Sequence, residues 1–291
     1  MSTTPNRRVA VTGSSGKLGS AVVRNLAEAG WSVHGFDVLP PGRETAGSFT
    51  RLDLTDLGQV VEALHGIDEL HGGVDAVVHL GAIPGASNAA NTATFTNNLT
   101  STYHVFTAAQ IAGVRNIVWA SSETLLGYPF ATTEPPYVPM DEEYPAQGNV
   151  AYSLAKVLEE EIARQLTRRD PRLKMIGLRF SNIIEPEQYA RFPDFENDPD
   201  SRAWNLWSYI DVRDAARSVR LALDAEVSGF EAVNIAAADT VMTTPTAELL
   251  ARKLPDVPVR TAVEGTQGLI DITKAEGLLG WSPQHTWRSP A

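Results

Sequence analysis

A tyrosine and a lysine stand four positions apart at Tyr152 and Lys156, in the run Tyr-Ser-Leu-Ala-Lys. On a helix these two side chains share one face. A lysine cation beside a phenol favours the phenolate, and a tyrosinate can accept the proton of an alcohol while a hydride leaves the same carbon. Ser122 follows the apolar run 116–120, at a strand end where its hydroxyl could hold the substrate oxygen. An ordinary surface Tyr/Lys pair is the alternative, since this spacing is common by chance.

Three glycines, Gly13, Gly16 and Gly19, lie between a short apolar run and a stretch with helical spacing. In a strand-to-helix turn such glycines permit the tight turn, the approach of a pyrophosphate and close helix packing. The N-terminus of the helix then offers free N–H groups to phosphate. Because of this placement we favour a dinucleotide-binding turn over a plain flexible loop. The residues between the glycines that belong to the predicted cofactor site are Ser15, Lys17 and Leu18.

Asp37 follows the second predicted strand. A carboxylate at that point accepts hydrogen bonds from the adenosine ribose and repels a 2′-phosphate, which favours NAD over NADP as the cofactor. A turn-forming aspartate is the alternative. Arg43 lies close by in the sequence and could recruit a phosphate instead.

The elements that must position these groups alternate along the chain. Strands are predicted at 8–12, 32–36, 49–52, 75–80, 116–120, 174–180 and 232–235, and helices at 18–29, 56–64, 93–112, 150–169 and 246–254. A further strand–helix unit is predicted at 208–224. This order predicts an α/β fold: a doubly wound parallel Rossmann sheet with helices on both faces.

The chain is predicted to divide at residue 180. Residues 1–180 form the NAD-binding Rossmann domain, and residues 181–291 form a small substrate-binding part from which segments at about 208–235 return to the core. Residues 185–200 have no clear period and are predicted to be a loop over the site. Arg191 and Arg202 are candidate carboxylate ligands there, although solvated arginines are the commoner outcome. Trp204 and Trp207 either stack on a sugar ring or close the core.

In combination, these residues resemble the extended short-chain dehydrogenase/reductase family, the NAD-dependent epimerase/dehydratase group, over residues 9–235. The resemblance implies that Ser122, Tyr152 and Lys156 are catalytic and that Lys156 also holds the nicotinamide ribose. It implies that Asn182 lies beside the nicotinamide. Further cofactor positions implied by the match are Asp53, Leu54, Leu80, Gly81, Ala82 and Asn98.

Two departures bear on the substrate. Nucleotide-sugar members of the group usually carry an arginine where this chain has Trp207, and the loop before that position is short. Both features argue against a UDP- or dTDP-sugar. The segments around His79 and Ser122 show a partial likeness to uronate dehydrogenases, which oxidise free sugar acids. Glu123 and Thr124 complete the predicted substrate site.

The amino-acid composition limits the kinds of partner and cofactor that the chain can bind. The 291 residues carry a formal net charge of −11, which disfavours nucleic acid and anionic membranes as partners. There is no cysteine, so disulfides, thiolate catalysis and cysteine-bound zinc are excluded, and the histidine spacing predicts no metal site. With no leader or membrane segment evident, we expect a cytoplasmic protein. The family resemblance implies a homodimer that pairs the two long helices.

Three hypotheses follow. The first is an NAD-dependent oxidoreductase that oxidises a hydroxyl of a small sugar, sugar acid or polyol. The second is an epimerase or dehydratase that retains NAD and returns the hydride. Dehydratases of the group often carry an acidic pair after the serine, whereas this chain has Glu123 alone. The third, a non-catalytic NAD-binding sensor, ranks lower because such proteins usually lose the tyrosine or the lysine.

Overall fold

The computed structural model describes residues 7–42, 45–66, 72–85, 88–130 and 134–289. Its centre is a seven-stranded sheet in the order β3-β2-β1-β4-β5-β6-β9, with every neighbouring pair parallel. The strands are β1 Arg8–Thr12, β2 Ser32–Asp37, β3 Ser48–Arg51, β4 Ala76–His79, β5 Asn116–Ser122, β6 Lys174–Phe180 and β9 Gly229–Ile235. A separate parallel pair joins β7 Ile183–Ile184 to β8 Ile210–Asp211. The predicted doubly wound sheet is confirmed.

Helices cover both faces of this sheet. They are α1 Lys17–Glu28, α2 Leu57–His65, α3 Asn91–Ile111, α4 Ala151–Arg169, α5 Phe192–Phe195, α6 Val212–Asp224, α7 Thr246–Lys253 and α8 Thr273–Leu279. Side chains of α1, α6 and α8 form the buried cluster on one face, and side chains of α2, α3 and α4 form the cluster on the other. Strand β4 is buried throughout, because the sheet is covered by helices on both faces.

The predicted irregular loop at 185–200 is wrong in part. This stretch contains a 3-10 helix at Pro186–Arg191, the single turn α5 and the start of a second 3-10 helix at Pro199–Asn205. Each has a proline in its first turn, where the missing N–H costs nothing, and each is too short to show a period. Helix α8 was also missed, and β5 runs two residues past its predicted end to include Ser121 and Ser122.

A third buried cluster forms the smaller part of the molecule. It takes residues from 125–144 as well as from 184–270, including Leu125, Tyr128, Tyr144, Trp207, Tyr209 and Leu269. Strand β9 lies in the large sheet beside β6, and α6 packs on α1. The buried clusters therefore do not follow the order of the chain, because residues 125–144 contribute to the third cluster and β9 belongs to the large sheet.

A buried ion pair ties α4 to the sheet below the site. The Arg179 guanidinium on β6 donates to both carboxylate oxygens of Glu160, at 2.9 and 2.8 Å. The Ser121 hydroxyl donates to the same carboxylate at 2.7 Å. Both charged side chains are almost wholly buried, with 4% and 3% of their surface exposed. Removing one partner would leave the other charge buried and unpaired.

We therefore expect Glu160→Ala to lower the free energy of unfolding by about 3–5 kcal/mol. The matched control is Arg172→Ala, because Arg172 pairs with Asp170 at 2.8 Å but is 68% exposed. Loss of that pair should cost at most about 1 kcal/mol. Urea unfolding followed by circular dichroism measures both values. Equal effects of the two substitutions would contradict the importance given to the buried pair.

Candidate active site

A cavity of about 840 Å³ opens at the carboxyl ends of the strands, where an α/β sheet presents its ligand crevice. The sheet order places Asp37, Leu52, Asp53 and Leu54 at the β2–β3 end and Ser122, Tyr152 and Lys156 toward β5 and β6. The middle is formed by the glycine turn and the residues after β4. The other predicted site residues that line the cavity are Gly13, Gly16, Lys17, Leu18, Gly19, Leu80, Gly81, Ala82, Glu123, Thr124 and Asn182.

The glycine turn is shaped by the absence of side chains. Gly13 has a positive φ of 68°, and a Cβ there would lie 2.6 Å from the Gly81 nitrogen. A Cβ on Gly19 would lie 2.0 Å from the Gly13 carbonyl oxygen, so α1 can begin against the turn only if residue 19 is glycine. Gly16 precedes α1 and no side chain caps the helix. The first N–H groups of α1 are therefore left for an anion.

The Asp37 carboxylate stands at the end of β2 and at the wall of the cavity. It accepts hydrogen bonds from the backbone N–H groups of Ser15 and Leu39, both at 3.1 Å. Ser15 itself does not line the cavity, because its hydroxyl donates to the Leu39 carbonyl at 2.7 Å. Ser15 thus helps to fix the Asp37 carboxylate. Arg43, the competing phosphate ligand of the sequence, lies outside the described residues.

Asn98 is also one step removed from the cavity. It is wholly buried, its Oδ1 accepts from the Ile83 N–H at 2.8 Å, and its Nδ2 donates to the Ile83 carbonyl at 3.0 Å. Ile83 lines the cavity and Asn98 does not. Asn98, predicted as a cofactor ligand, therefore supports the wall after β4 and does not line the cavity itself.

Lys156 is buried beneath Tyr152. Its Nζ donates to the Ala120 carbonyl and to Glu159 Oε2, both at 2.8 Å, and lies 5.7 Å from the centroid of the Tyr152 ring. Burial alone lowers the pKa of Lys156, but Glu159, Tyr152 and Glu160 together raise it above its ordinary value. The helical pairing of Tyr152 and Lys156 predicted from their spacing is thus present at the N-terminal end of α4.

Ser122 ends β5 with its side chain held by Thr124. Its Oγ accepts hydrogen bonds from the Thr124 N–H at 3.1 Å and from the Thr124 hydroxyl at 3.0 Å. Because both contacts use lone pairs of the serine oxygen, the Ser122 proton remains available for a ligand in the cavity. The arrangement can donate a hydrogen bond to a substrate oxygen.

Glu123 follows Ser122 but points its carboxyl group away from solvent. Oε2 accepts from the Ser181 hydroxyl at 2.6 Å, and Oε1 accepts from Asn205 Nδ2 at 3.2 Å. Burial raises its pKa to about 7, opposed by these hydrogen bonds and by the charge of Arg202. Both carboxyl oxygens therefore serve to join the end of β5 to the end of β6 and to the smaller part.

Three predicted substrate ligands lie off the cavity. Trp207 is wholly buried in the third cluster with its Nε1 donating to the Pro199 carbonyl at 2.9 Å, because its backbone turns inward at a positive φ of 58°. Arg202 is buried behind Asn182 and donates to that amide oxygen at 3.3 Å and to the Ser208 carbonyl at 2.8 Å. Arg191 is exposed at the end of its 3-10 helix and does not reach the described cavity wall.

Sequence reasoning left several cavity residues without a role. Trp204 lines the cavity while Trp207 does not, a distinction that apolar character alone cannot make. The remaining lining residues with no assigned role are Val38, Leu52, Ile83, Pro84, Gly85, Asn97, Ser101, Ala120, Ser121, Pro129, Val150, Phe180, Ser181 and Ile183. Val38, Leu52 and Ser181 directly follow a strand, so the rule that ligands meet strand ends would have found these three.

These features define a dinucleotide-dependent enzyme of the α/β class. The uncapped α1 terminus, the glycine cradle and the Asp37 carboxylate match a pyrophosphate and an adenosine ribose without a 2′-phosphate. A family model for the NAD dependent epimerase/dehydratase family matches residues 9–236, and the chain belongs to this family. The family depends on NAD, and a solved structure from the short-chain dehydrogenase/reductase superfamily that resembles this chain holds bound NAD.

The similar proteins include a curated epimerase and two solved structures. UDP-glucose 4-epimerase of Mus musculus is 29% identical over 223 residues, a match that covers 70% of this chain and 60% of the mouse protein. A short-chain dehydrogenase/reductase superfamily protein from Agrobacterium tumefaciens, solved with bound NAD, is 26% identical with a TM-score of 0.73, covering 97% of this chain and 94% of that one. A mutated uronate dehydrogenase shares the fold at 22% identity and a TM-score of 0.68, covering 97% and 83%.

Two absences apply to the described part of the chain. No helix in it is long and apolar enough to cross a membrane. Within the same residues, no group of three or more His, Asp or Glu side chains could hold a metal ion.

Gly19→Ala should weaken NAD binding by more than about tenfold, because the new Cβ would overlap the Gly13 carbonyl and displace α1 from the turn. Gly277→Ala is the control: it also lies within a helix, but its Cβ would meet nothing within 4 Å. That variant should bind NAD normally and gain about 0.5–1 kcal/mol in stability. Calorimetric titration with NAD measures the difference. Normal binding by the Gly19 variant would show that the turn tolerates a side chain.

Glu123 should make stability depend on pH. Because burial raises its folded pKa from 4.5 to about 7, the folded state holds the proton more tightly than the unfolded state. This contribution is full below the unfolded pKa and is lost as the pH rises through about 7.

Glu123→Gln should therefore remove about 2 kcal/mol of the decline in unfolding free energy between about pH 5 and about pH 8. Glu248→Gln, at a side chain that is 57% exposed, should keep the wild-type dependence. Chemical denaturation at several pH values measures the slopes. A Glu123 variant with the same slope as wild type would mean that this carboxyl does not titrate in the range.

Proposed function

We propose that this enzyme oxidises a hydroxyl of a small, uncharged, sugar-like or polyol substrate by NAD-dependent hydride transfer. The observation that carries the proposal is a single cavity that joins the glycine turn to Ser122, Tyr152 and Lys156. When bound, NAD supplies an acceptor for the hydride that leaves the substrate carbon. The remaining work belongs to residues of this chain.

Tyr152 is proposed as the general base. The phenolate takes the hydroxyl proton as the C–H bond gives up its hydride, so that the C–O bond becomes a carbonyl and the charges balance. Lys156 is proposed to stabilise the negative charge on the tyrosine oxygen during proton transfer, since its buried ammonium lies 5.7 Å from the centroid of the Tyr152 ring. Lys156 is also proposed to hold the nicotinamide ribose, with the one ammonium proton that Ala120 and Glu159 leave free.

Ser122 is proposed to orient the substrate oxygen. Its lone pairs are occupied by Thr124, which leaves its proton directed to the substrate and fixes the serine rotamer. Asn182 lines the same end of the cavity, with its amide oriented by Arg202. Glu123, whose carboxyl is engaged by Ser181 and Asn205, supports these residues from behind.

The charge of the cavity supports an uncharged substrate. Among the described residues that line it, the only cations are Lys17 at the glycine turn and Lys156 beneath Tyr152. The substrate end has instead Thr124, Pro129, Asn182 and the Trp204 indole, which suit hydroxyl groups and the apolar face of a sugar ring. A sugar acid or a nucleotide diphosphate would bring negative charge to a wall with no arginine to pair with it.

An epimerase that retains NAD and returns the hydride is the second candidate, since the mouse relative is a UDP-glucose 4-epimerase. The same serine, tyrosine and lysine serve both reactions. Release of NADH into solution separates the two.

A homodimer is part of the proposal. Three of the exposed apolar side chains in the described structure, Tyr103 and Ile111 on α3 and Leu154 on α4, lie on the two long helices. Sedimentation equilibrium of the purified protein would show whether these helices pair between copies.

Replacing Tyr152 by Phe should lower turnover by at least about 10²–10⁴-fold, the contribution of a general base, and leave NAD affinity close to that of wild type. Tyr103→Phe is the control, because it makes the same change at a tyrosine that is 52% exposed. Absorbance of NADH is followed with neutral sugars, polyols, sugar acids and nucleotide sugars. Wild-type turnover retained by Tyr152→Phe would contradict the assignment of Tyr152 as the general base.

The substrate panel separates the reactions as well as the substrates. Steady formation of NADH with a neutral sugar or polyol supports the proposed oxidation. Conversion of a nucleotide sugar without NADH release would favour the epimerase. Oxidation restricted to sugar acids would contradict the preference for uncharged substrates.

A further inference from the structure

A buried chain of polar side chains runs from the glycine turn to Lys156. His79 Nδ1 lies 2.8 Å from the Thr12 hydroxyl, and His79 Nε2 lies 3.0 Å from the Thr102 hydroxyl. Thr102 in turn acts to lower the pKa of Glu159, although Glu159 Oε1 has no hydrogen-bond partner among the described residues. Glu159 Oε2 accepts from Lys156 Nζ at 2.8 Å. Every member is at most 2% exposed, so water cannot substitute for these partners.

The direction of the protons along this chain can be assigned. The Thr12 hydroxyl oxygen accepts from the N–H groups of Leu80 and Gly81, at 3.2 and 3.3 Å, and so donates its own proton to His79 Nδ1. Burial, together with the charge of Lys156, lowers the pKa of His79 to about 3, which keeps the ring neutral. A neutral ring that accepts at Nδ1 must donate at Nε2 to Thr102, whose proton is then free for Glu159.

The Glu159 carboxylate accepts a hydrogen bond from Lys156 through Oε2, and its Oε1 has no hydrogen-bond partner among the described residues. Burial raises the pKa of Glu159, while Lys156 and Thr102 oppose this and favour the charged form. For Lys156, burial acts to lower the pKa, and Glu159 is the largest of the causes that raise it. The two charges thus hold each other in place where neither would persist alone.

We propose that Glu159 is a positioning residue that keeps the Lys156 ammonium charged and aimed, through the buried hydrogen bond that joins the two side chains. This inference rests on the proposed role of Lys156 toward the cofactor ribose. With Ala120 and Glu159 occupying two ammonium protons, one proton is left, and its direction into the cavity is fixed.

Other charged groups near Lys156 are already engaged. On α4, Glu160 is paired with Arg179 of β6. One turn before Lys156 on the same helix, the Tyr152 ring centroid lies 5.7 Å from Lys156 Nζ. On β4, His79 is neutral. Glu159 is thus the acidic group in direct contact with the Lys156 ammonium.

The test measures NAD affinity against pH by quenching of tryptophan fluorescence, and needs no substrate. Glu159→Gln keeps the shape of the side chain and removes its charge, so that burial should then dominate the pKa of Lys156. We expect affinity similar to wild type near neutral pH and a fall of roughly tenfold by about pH 9 that wild type does not show, since a charged hydrogen bond to the ribose is lost. Glu159→Asp restores the charge and should restore most of the wild-type pH dependence.

Two further variants make the result decisive. Glu161→Gln removes a carboxylate from the solvent-facing side of the same helix, where it is 47% exposed, and should leave the pH dependence unchanged. Glu159→Met fills the volume without polar atoms and repeats the test if the glutamine variant is unstable. Wild-type pH dependence of NAD binding in a folded Glu159→Gln or Glu159→Met variant overturns the proposal. So does failure of both to fold while Glu159→Asp folds, because Glu159 would then be a structural residue alone.

The outcomes also separate this inference from the proposed function. A shifted pH dependence of NAD binding in a protein that oxidises nothing in the panel would uphold the role of Glu159 and overturn the proposed reaction. Oxidation of a neutral sugar by the wild-type enzyme, together with an unshifted pH dependence of NAD binding in Glu159→Gln, would uphold the proposed reaction and overturn the role of Glu159.

Discussion

The contact between the Gly13 carbonyl and Gly19 is the constraint on which the rest of this structure depends. It leaves no space for a Cβ at residue 19, and Gly13 is itself pressed against the backbone of Gly81. Two main-chain segments at the ends of β1 and β4 are thereby brought together with the start of α1. The N–H groups of α1, the wall after β4 and the hydroxyl of Thr12 take their positions from this approach, and the cavity exists between them.

The buried polar groups at the strand ends have polar partners, which offset the free-energy cost of burying them. Arg179 is paired with Glu160, Lys156 with Glu159, and Glu123 with neutral donors. Each charged group that lacks solvent thus has a partner on a different element or a different turn. A buried pair contributes little net stability compared with apolar packing, but breaking it is costly, so these pairs define the relative placement of α4, β5 and β6. The catalytic geometry is therefore maintained by the same interactions that would be most damaging to lose.

Most of the fold followed from the sequence, because strands buried on both faces and amphipathic helices leave strong periodic patterns. The glycine turn and the Tyr152–Lys156 pair were found through their spacing, which local backbone geometry determines. Periodicity was insufficient where elements were a single turn long, as in α5. The sequence also left open whether Trp207 stacks on a substrate or closes the core, and a left-handed turn at residues 206 and 207 buries it. Asn98 and Arg202 support their neighbours instead of lining the cavity, and only tertiary contacts distinguish these roles.

Whether the enzyme exchanges its cofactor depends on what closes the crevice over it. Lys17 reaches from the start of α1 to the Ile183 carbonyl at 3.0 Å and to Gln188 Oε1 at 3.2 Å, across the mouth of the cavity. Lys17 is exposed, and a hydrogen bond of this kind contributes about 1 kcal/mol, since water competes for both partners. Such a contact opens readily. Retention of NAD through an epimerase cycle calls for a stronger closure. A dehydrogenase, in contrast, must release NADH in every turnover. The weak closure by Lys17 therefore supports the proposed dehydrogenase.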